Sequence, residues 1–147
     1  MSSHIEKRKQ TFKVRDTKIT ILANARIDDD TNEVIFDQQI DNEAINLDFN
    51  KYRNENGLVA PKEMVEFRNN YNLSQSALAK LMEISTATIA RYEKGALPPE
   101  GISDLLKQLV NDNSAFVEFF KQNRNSLSIE DRKRVETILL HPNMPLN

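Results

Sequence analysis

The side chains best suited to chemistry lie in one short segment near the middle of the chain. A helix turns about 100° per residue, which places Ala87, Ala90 and Arg91 on one side. Thr86 falls at the edge of that side. Arginine is the commonest side chain to contact guanine edges, and alanine or threonine methyl groups can touch the thymine methyl. The pattern therefore predicts a helix that lies in the DNA major groove.

Further candidate DNA contacts lie beside this face and one helix earlier. Thr88 and Lys94 flank the face and contact either phosphate or solvent. Gln75 opens the preceding helix, where backbone N–H groups and the helix dipole suit a phosphate oxygen. The predicted DNA-binding set is Gln75, Ser85, Thr86, Ala87, Thr88, Ala90, Arg91 and Lys94.

Two short helices joined by a tight turn must position these residues. Ser74 is a good N-cap for a helix over Gln75–Met82, because its hydroxyl can accept from a free backbone N–H. Ser85 caps a second helix from Thr86 to about Lys94, and Gly95 ends it. The predicted core-facing positions are Leu78, Ala79 and Met82 in the first helix, and Ser85, Ile89 and Tyr92 in the second.

The segment LSQSALAKLMEISTATIARYEKG resembles the helix-turn-helix of the phage-repressor-like class, the XRE family. The residues that carry the resemblance are Leu73-Ser74-Gln75, Ala79, Ile89 and Tyr92-Glu93-Lys94-Gly95. The resemblance implies DNA binding, with Gln75 at a backbone-contact position. Glu83 stands where this class commonly has glycine, and a positive φ there costs roughly 1 kcal/mol.

Composition excludes several other classes of protein. Hydrophobic residues make up 39% and charged residues 29%, which is typical of a globular chain. The absence of cysteine excludes disulfides, thiol catalysis and cysteine-ligated zinc. No apolar run approaches a membrane span, and the N-terminus lacks the apolar core of a signal peptide, so we expect a cytoplasmic location.

The charges are unevenly distributed, although the net charge is only −2. Six basic residues occur between Lys7 and Lys18, whereas the window from Ile27 to Asn50 has acidic residues and no lysine or arginine. This asymmetry indicates either regions with different partners or a solvated acidic surface.

The first part of the chain predicts a small sheet with one helix. Alternating apolar residues predict strands over 10–16 and 18–25, joined by a hairpin at Asp16-Thr17, and a third strand over 33–36 with Val34 and Phe36 on one face. Residues 1–9 are expected to be frayed. Asp41 is the predicted N-cap of a helix that ends at Gly57. Its face of Ile45, Phe49 and Tyr52 should pack on the sheet, which must lean on this helix or on another copy of the chain.

The second part predicts only helices. Pro61 suits a first helical turn, a further helix covers about 100–111, Ser114 caps the next, and Ser128 caps a last one that His141-Pro142 ends. We therefore predict an α+β fold, with a small β-rich N-terminal unit bearing one helix, followed by an all-α helix-turn-helix domain of five or six helices. We expect residues 1–57 to form the partner-binding unit and residues 58–112 to form the DNA-binding helix-turn-helix domain. Residues 113–147 are expected to form a helical extension that is a candidate for dimerisation. Within that extension, 115–121 and 129–140 are candidate dimer surfaces.

The order of elements over roughly residues 10–110 is also similar to MqsA-type antitoxins. It is carried by short strands, an acidic loop, Tyr52-Arg53, Gly57-Leu58, Pro61 and the final Arg91–Gly95 run. This resemblance implies an N-terminal domain that binds a toxin, and a C-terminal domain that dimerises and represses its operon. The family usually holds a structural zinc through two cysteine pairs, and this chain has no cysteine to hold it.

These patterns predict a dimeric, sequence-specific repressor that binds a palindromic operator in double-stranded DNA. The leading form is the antitoxin of a type II toxin–antitoxin pair, with a cognate toxin as partner. The alternative is a phage or mobile-element repressor without a toxin. An enzyme with an appended DNA-binding module is not supported, because His4 and His141 are unaccompanied and Asp28–Asp30 lacks the glycine and glutamate of a calcium loop. We expect no cofactor and no metal.

Overall fold

The computed structural model describes residues 2–140, which form two compact units divided between Gly57 and Leu58. The first unit has a three-stranded antiparallel sheet, in the order β1-β2-β3, and one long helix. The described part of the second unit contains six α-helices and a short 3-10 turn. The predicted α+β class is therefore confirmed. No helix within residues 2–140 has both the length and the apolar character needed to cross a bilayer.

A long hairpin forms the sheet. β1 (Ser3–Val14) pairs with β2 (Thr17–Asp28) over its whole length, and β3 (Val34–Ile35) pairs with the far end of β2. The prediction of a frayed segment over 1–9 is wrong for residues 3–9, because β2 supplies their backbone partners. The turn is Arg15-Asp16, one residue earlier than predicted; Arg15 has a φ of 54°, and its guanidinium lies 5.5 Å from the Tyr52 ring centre.

The single helix of this unit, α1 (Gln38–Asn56), begins earlier than predicted. Its N-cap is Asp37, whose carboxylate accepts from the Ile40 N–H at 3.2 Å. Asp41, the predicted cap, instead accepts from the Asp37 N–H at 3.0 Å. The Asp37 carboxylate thus caps the helix, and the Asp41 carboxylate accepts from the backbone of the cap residue itself. The sequence pattern did not show which aspartate has which role. Gly57, with a φ of 63°, ends the helix as expected.

The packed face of α1 differs from the predicted one. Ala44, Asp48 and Tyr52 are buried, whereas Ile45 is 36% exposed and Phe49 is half-buried. The small Ala44 side chain allows close approach to the sheet. The partners on the inner face of the sheet are Val14, Ile19, Ala23, Ala25 and Ile27.

The third strand is left largely uncovered. Val34 pairs with Ile27 and so shares the inner face, and Phe36 lies two residues further along the chain. Their exposed fractions are 58% and 79%. The helix therefore does not bury the apolar face predicted for this strand.

The second unit is a bundle around one hydrophobic cluster. Pro61 opens its first helix as predicted, and the Glu63 carboxylate accepts from the Ala60 N–H at 2.9 Å. Leu78, Leu81, Ile89, Leu106 and Val135 are at most 1% exposed at its centre. The helices are α2 (Pro61–Asn70), α3 (Gln75–Met82), α4 (Thr86–Glu93), α5 (Glu100–Asn111), α6 (Asn113–Asn123) and α7 (Ile129–Leu140), with the 3-10 turn at Arg124–Ser126.

The C-terminal helices belong to this same cluster. Phe116 is fully buried, with its ring centre 5.3 Å from that of Phe67 and 4.0 Å from that of Tyr71, and Phe120 is 2% exposed. The expected boundary at 112–113 therefore does not separate compact units. The prediction that the phenylalanine-rich helix is a dimer surface is wrong for Phe116 and Phe120, because their rings fill the core.

The N-terminal ends of α6 and α7 are both capped by side chains. Asp112 caps α6 instead of Ser114, since its carboxylate accepts from the Ser114 and Ala115 N–H groups at 2.9 and 3.2 Å. Ser128 accepts from the Asp131 N–H at 3.1 Å, as predicted. The predicted stop at His141-Pro142 lies outside the described residues.

Candidate nucleic-acid interface

The local geometry of α3 and α4 follows their capping residues. Ser74 accepts from the Ala77 N–H at 3.0 Å and Ser85 from the Thr88 N–H at 3.1 Å. Between the helices, Glu83 adopts the left-handed conformation with φ 59° and ψ 40°. The Ile84 N–H then donates to the Ala79 carbonyl at 2.9 Å, which closes the turn. Glu83 thus takes the positive φ at the position where the XRE class commonly has glycine.

The α4 helix separates a buried side from an exposed one. Ile89 is fully buried and Tyr92 is 7% exposed, whereas Thr86, Ala87 and Arg91 are exposed. Ala90 and Thr88 are half-buried, and Lys94 is exposed just after the helix. Ser85 was predicted to lie on the core side and is exposed instead, because its hydroxyl caps the helix.

A chain of hydrogen bonds runs along the exposed side of α4. The Ser85 and Thr88 hydroxyl oxygens lie 2.7 Å apart, and the Arg91 guanidinium donates to the Thr88 hydroxyl at 3.1 Å. This hydrogen bond restrains the orientation of the Arg91 side chain, which is exposed. A side chain restrained in this way loses less conformational entropy when it binds a partner.

A second network holds the three helices around this face together. Arg68 of α2 makes a bidentate ion pair with Glu93 of α4, with N–O distances of 2.6 and 2.8 Å. Arg68 also donates to the Leu73 carbonyl at 3.0 Å. The Gln75 amide at the start of α3 donates to Glu93 at 3.1 Å. The network fixes α4 against α2 and α3, and it engages the Gln75 side chain within the protein.

The environment of Glu93 favours its charged form. Burial by itself raises the pKa of this carboxyl group. The hydrogen bonds from Arg68 and Gln75, with the Arg68 charge, outweigh burial, so the pKa of Glu93 lies below its ordinary value. The ion pair thus stays intact through neutral pH.

The sequence indicated only part of this site. The Arg68–Glu93 pair joins residues 25 positions apart, and nothing in their spacing identified them as partners. The role of Thr88 in orienting Arg91 was also missed. Its only signal was the spacing of three residues along one helix, which brings side chains together.

The remaining titratable clusters do not form a metal site. His4 was expected to be unaccompanied, but it contacts Asp29 and lies 3.4 Å from Glu6. Strand pairing brings the loop after β2 beside His4, and the hydrogen bond with Asp29 raises the pKa of His4. Among residues 2–140, no group of three or more metal-ligating side chains is placed to hold an ion.

Comparison with known proteins identifies the type of domain. Residues 65–106, from within α2 to within α5, match the helix-turn-helix family model. No curated protein and no solved structure matches the chain. The matched segment contains the capped turn, the buried Ile89 and Tyr92, and the exposed Arg91. Together with this geometry, the match supports a DNA-binding transcriptional regulator with an XRE-type helix-turn-helix domain.

Proposed function

We propose that this protein is a sequence-specific repressor that reads its operator with α4. The observation that carries the proposal is the exposed side formed by Thr86, Ala87 and Arg91, opposite the buried Ile89 and Tyr92. Small side chains let the helix backbone approach base edges, and the restrained guanidinium can donate to guanine. Ser85, Thr88 and Lys94 border that side, and the backbone N–H groups at the start of α3 suit a phosphate oxygen.

We further propose that the repressor binds as a two-fold dimer. One recognition helix contacts too few base pairs for useful selectivity, and two copies would read half-sites about one helical turn apart. Phe116 and Phe120 of α6 lie in the core and are not available for such a contact. On α7, the large apolar residues that are exposed are Ile129 at 65% and Leu140 at 74%. They are the candidate dimer contacts on this helix.

The test of operator reading is the Arg91→Ala substitution. The expected loss is about 1–3 kcal/mol of binding free energy, with relaxed preference at one base pair per half-site. Titration of the wild type and the variant against the chain's own promoter region, followed by competition with single-base variants, measures both effects. Lys107→Ala removes an exposed positive charge from α5 instead of α4 and should leave selectivity unchanged. Unchanged selectivity for Arg91→Ala would exclude Arg91 as a base contact.

We also infer that the N-terminal unit binds a basic partner protein, the toxin of a toxin–antitoxin pair. Three features support this inference. The unit is compact by itself, it leaves Val34 and Phe36 exposed, and it carries the exposed carboxylates Asp30 and Glu33 beside them in the chain. Exposed apolar residues with adjacent charge of one sign are typical of a protein-binding surface. The resemblance to MqsA-type antitoxins points to the same role.

The missing zinc does not argue against this role. In this chain, the apolar inner face of β1 and β2 packs on α1, so a small hydrophobic core holds the unit together. A core of this kind can replace a structural metal as the source of stability in a small domain. The partner-binding proposal therefore stands without the metal.

The test is co-expression with the product of the adjacent gene. Phe36→Ser should weaken a complex with that protein by at least about tenfold, because a large exposed aromatic ring is a typical binding anchor. Leu22→Ser removes a similarly exposed apolar side chain from the opposite face of the sheet and serves as the matched control. If neither the wild type nor the variants co-purify with the adjacent product, the alternative of a phage or mobile-element repressor is favoured.

A further inference from the structure

The outward face of the β1–β2 hairpin carries a cluster of lysines. Strand pairing places Lys7 opposite Asn24, Lys9 opposite Leu22, and Lys13 opposite Lys18. Residues paired in this way share one face of a sheet. Alternation along each strand puts all of these residues on the side away from the buried Ile19, Ala23 and Ile27. We call this surface the basic face, defined by Lys7, Lys9, Lys13 and Lys18, all of which are exposed.

Acidic side chains do not neutralise the basic face. From residue 5 to 13 and from 18 to 26, the outward positions hold no carboxylate. Glu6 lies on the inner side and pairs with Arg8 at 2.9 Å, and Asp37 pairs with Arg26 at 2.9 Å. Among residues 2–140, none of the four lysines makes a side-chain hydrogen bond or ion pair. Their charges are therefore available to an anionic partner.

The arrangement of the lysines carries a cost within the protein. Lys13 and Lys18 lie directly opposite each other, and like charges in that position destabilise a sheet. Lysines on exposed strands can prevent unwanted edge pairing, but that purpose does not require them to lie directly opposite each other. Protection of the edges therefore does not account for two opposed ammonium groups on one face, whereas binding of a polyanion does.

The second unit supplies the reason to choose DNA as that polyanion. Residues 58–147 contain eleven basic and eleven acidic residues, so the helix-turn-helix unit has no net positive charge. Around α4, the exposed cations Arg91 and Lys94 are accompanied by the exposed Glu83. Affinity for DNA depends strongly on the number of phosphates that a protein neutralises. With equal numbers of basic and acidic residues, this unit by itself can neutralise few DNA phosphates.

We propose that the basic face of the hairpin binds DNA phosphates and supplies much of the sequence-independent affinity of the repressor. The proposal rests on the DNA-binding function proposed above. Lys7 and Lys13 are separated by about 20 Å along the strand, enough to contact several successive phosphates. Because both units belong to one chain, a duplex held by either unit is presented at high local concentration to the other.

The experiment measures the salt dependence of binding to a fluorescent duplex of mixed sequence and to the promoter duplex. The full-length variant K7Q/K9Q/K13Q/K18Q is compared with K62Q/K107Q/K121Q/K133Q, which has the same net charge and changes four exposed lysines of the helical unit. In the basic-face variant, the plot of log affinity against log salt should be less steep. The magnitude of its negative slope should fall by up to about 3.6, or about 0.9 for each phosphate that is no longer neutralised. The pair K13Q/K18Q should lower the slope by about 1.8, and the control variant by less than about 0.9.

The outcomes separate this proposal from the proposed function. Equal salt slopes for the basic-face variant and the control would overturn the proposal. It would also be overturned if the basic-face variant kept the wild-type salt slope but no longer bound an acidic protein that co-purifies with the wild type. A lowered slope with unchanged preference for the promoter over the mixed duplex supports it. If Arg91→Ala leaves promoter preference intact while the basic-face variant still lowers the slope, operator reading by Arg91 fails and phosphate binding by the hairpin stands.

Discussion

At the scale of single residues, Glu83 and Arg91 show how local conformation and neighbouring side chains set what this helix-turn-helix can do. Glu83 holds the turn in the left-handed region, and Arg91 is oriented by a hydroxyl one turn earlier in its own helix. Both effects depend on neighbours close in sequence. The positive φ at Glu83 was accordingly foreseeable from its place in the motif.

Replacement of Glu83 by glycine should stabilise the helical unit. A left-handed conformation costs a residue with Cβ roughly 1–2 kcal/mol, and glycine avoids this cost but loses more chain entropy on folding. The expected net gain is therefore up to about 1 kcal/mol, measured by urea denaturation. Glu83→Ala removes the same charge but keeps Cβ, so it should bring no such gain. Equal stability of the two variants would contradict the strain argument.

At the scale of elements, long-range packing decides which side of a helix is buried. In α1, Asp48 is completely buried and neither carboxylate oxygen has a hydrogen-bond partner among residues 2–140. Burial raises its pKa, although the nearby Lys51 charge opposes the shift. An apolar pattern of Ile45, Phe49 and Tyr52 could not reveal this, since a buried carboxylate contradicts the usual rule for core positions.

The Arg68–Glu93 pair joins α2 to α4, and its removal should be costly at neutral pH. Glu93→Gln leaves the nearly buried guanidinium without its counter-charge, so we expect a loss of about 3 kcal/mol in the free energy of unfolding. The double variant R68M/E93M replaces both partners with apolar side chains and should lie within about 1 kcal/mol of the wild type. Urea denaturation at neutral pH measures both differences.

The same pair gives a pH dependence of defined sign. The pKa of Glu93 is lowered in the folded protein, so its contribution is fully present above the unfolded pKa, near 4.5. This contribution is lost as the pH falls through the lowered folded pKa. The stability gap between the wild type and Glu93→Gln should therefore narrow in acid, as followed by denaturation from neutral pH downward. A gap that stays constant over that range would show that the carboxylate charge does not stabilise the fold.

At the scale of the whole molecule, the C-terminal helices complete the core of the DNA-binding unit. Phe116 stacks with Tyr71, whose hydroxyl donates to Asn113 at 2.6 Å, so α6 is tied to α2 by both ring packing and a hydrogen bond. The helix-turn-helix therefore depends on residues that follow it in the chain. Sequence patterning could identify the apolar side of α6 but not whether that side meets the same chain or a second copy.

Replacement of Phe116 by alanine should destabilise the helical unit by about 3–5 kcal/mol, because it leaves a cavity in a closely packed core. Thermal and urea denaturation measure the loss, and sedimentation reports the oligomeric state. Phe119→Ala removes a half-buried ring from the same helix and should cost clearly less. A variant at Phe116 that keeps its stability but loses dimerisation would restore α6 as the dimer surface.

The sequence by itself determined the features that depend on neighbours along the chain. The caps at Ser74 and Ser85, the end at Gly95 and the alternation around Ile19 are set by hydrogen bonds and side-chain directions within a few residues. Only the tertiary structure decided the choice of Ala44 over Ile45 on the buried face of α1, the partner of Arg68, the burial of Phe116 and the gathering of four lysines on one sheet face. Those outcomes depend on contacts between residues distant in sequence, where several pairings satisfy the same local pattern and only the packing of the complete unit selects one.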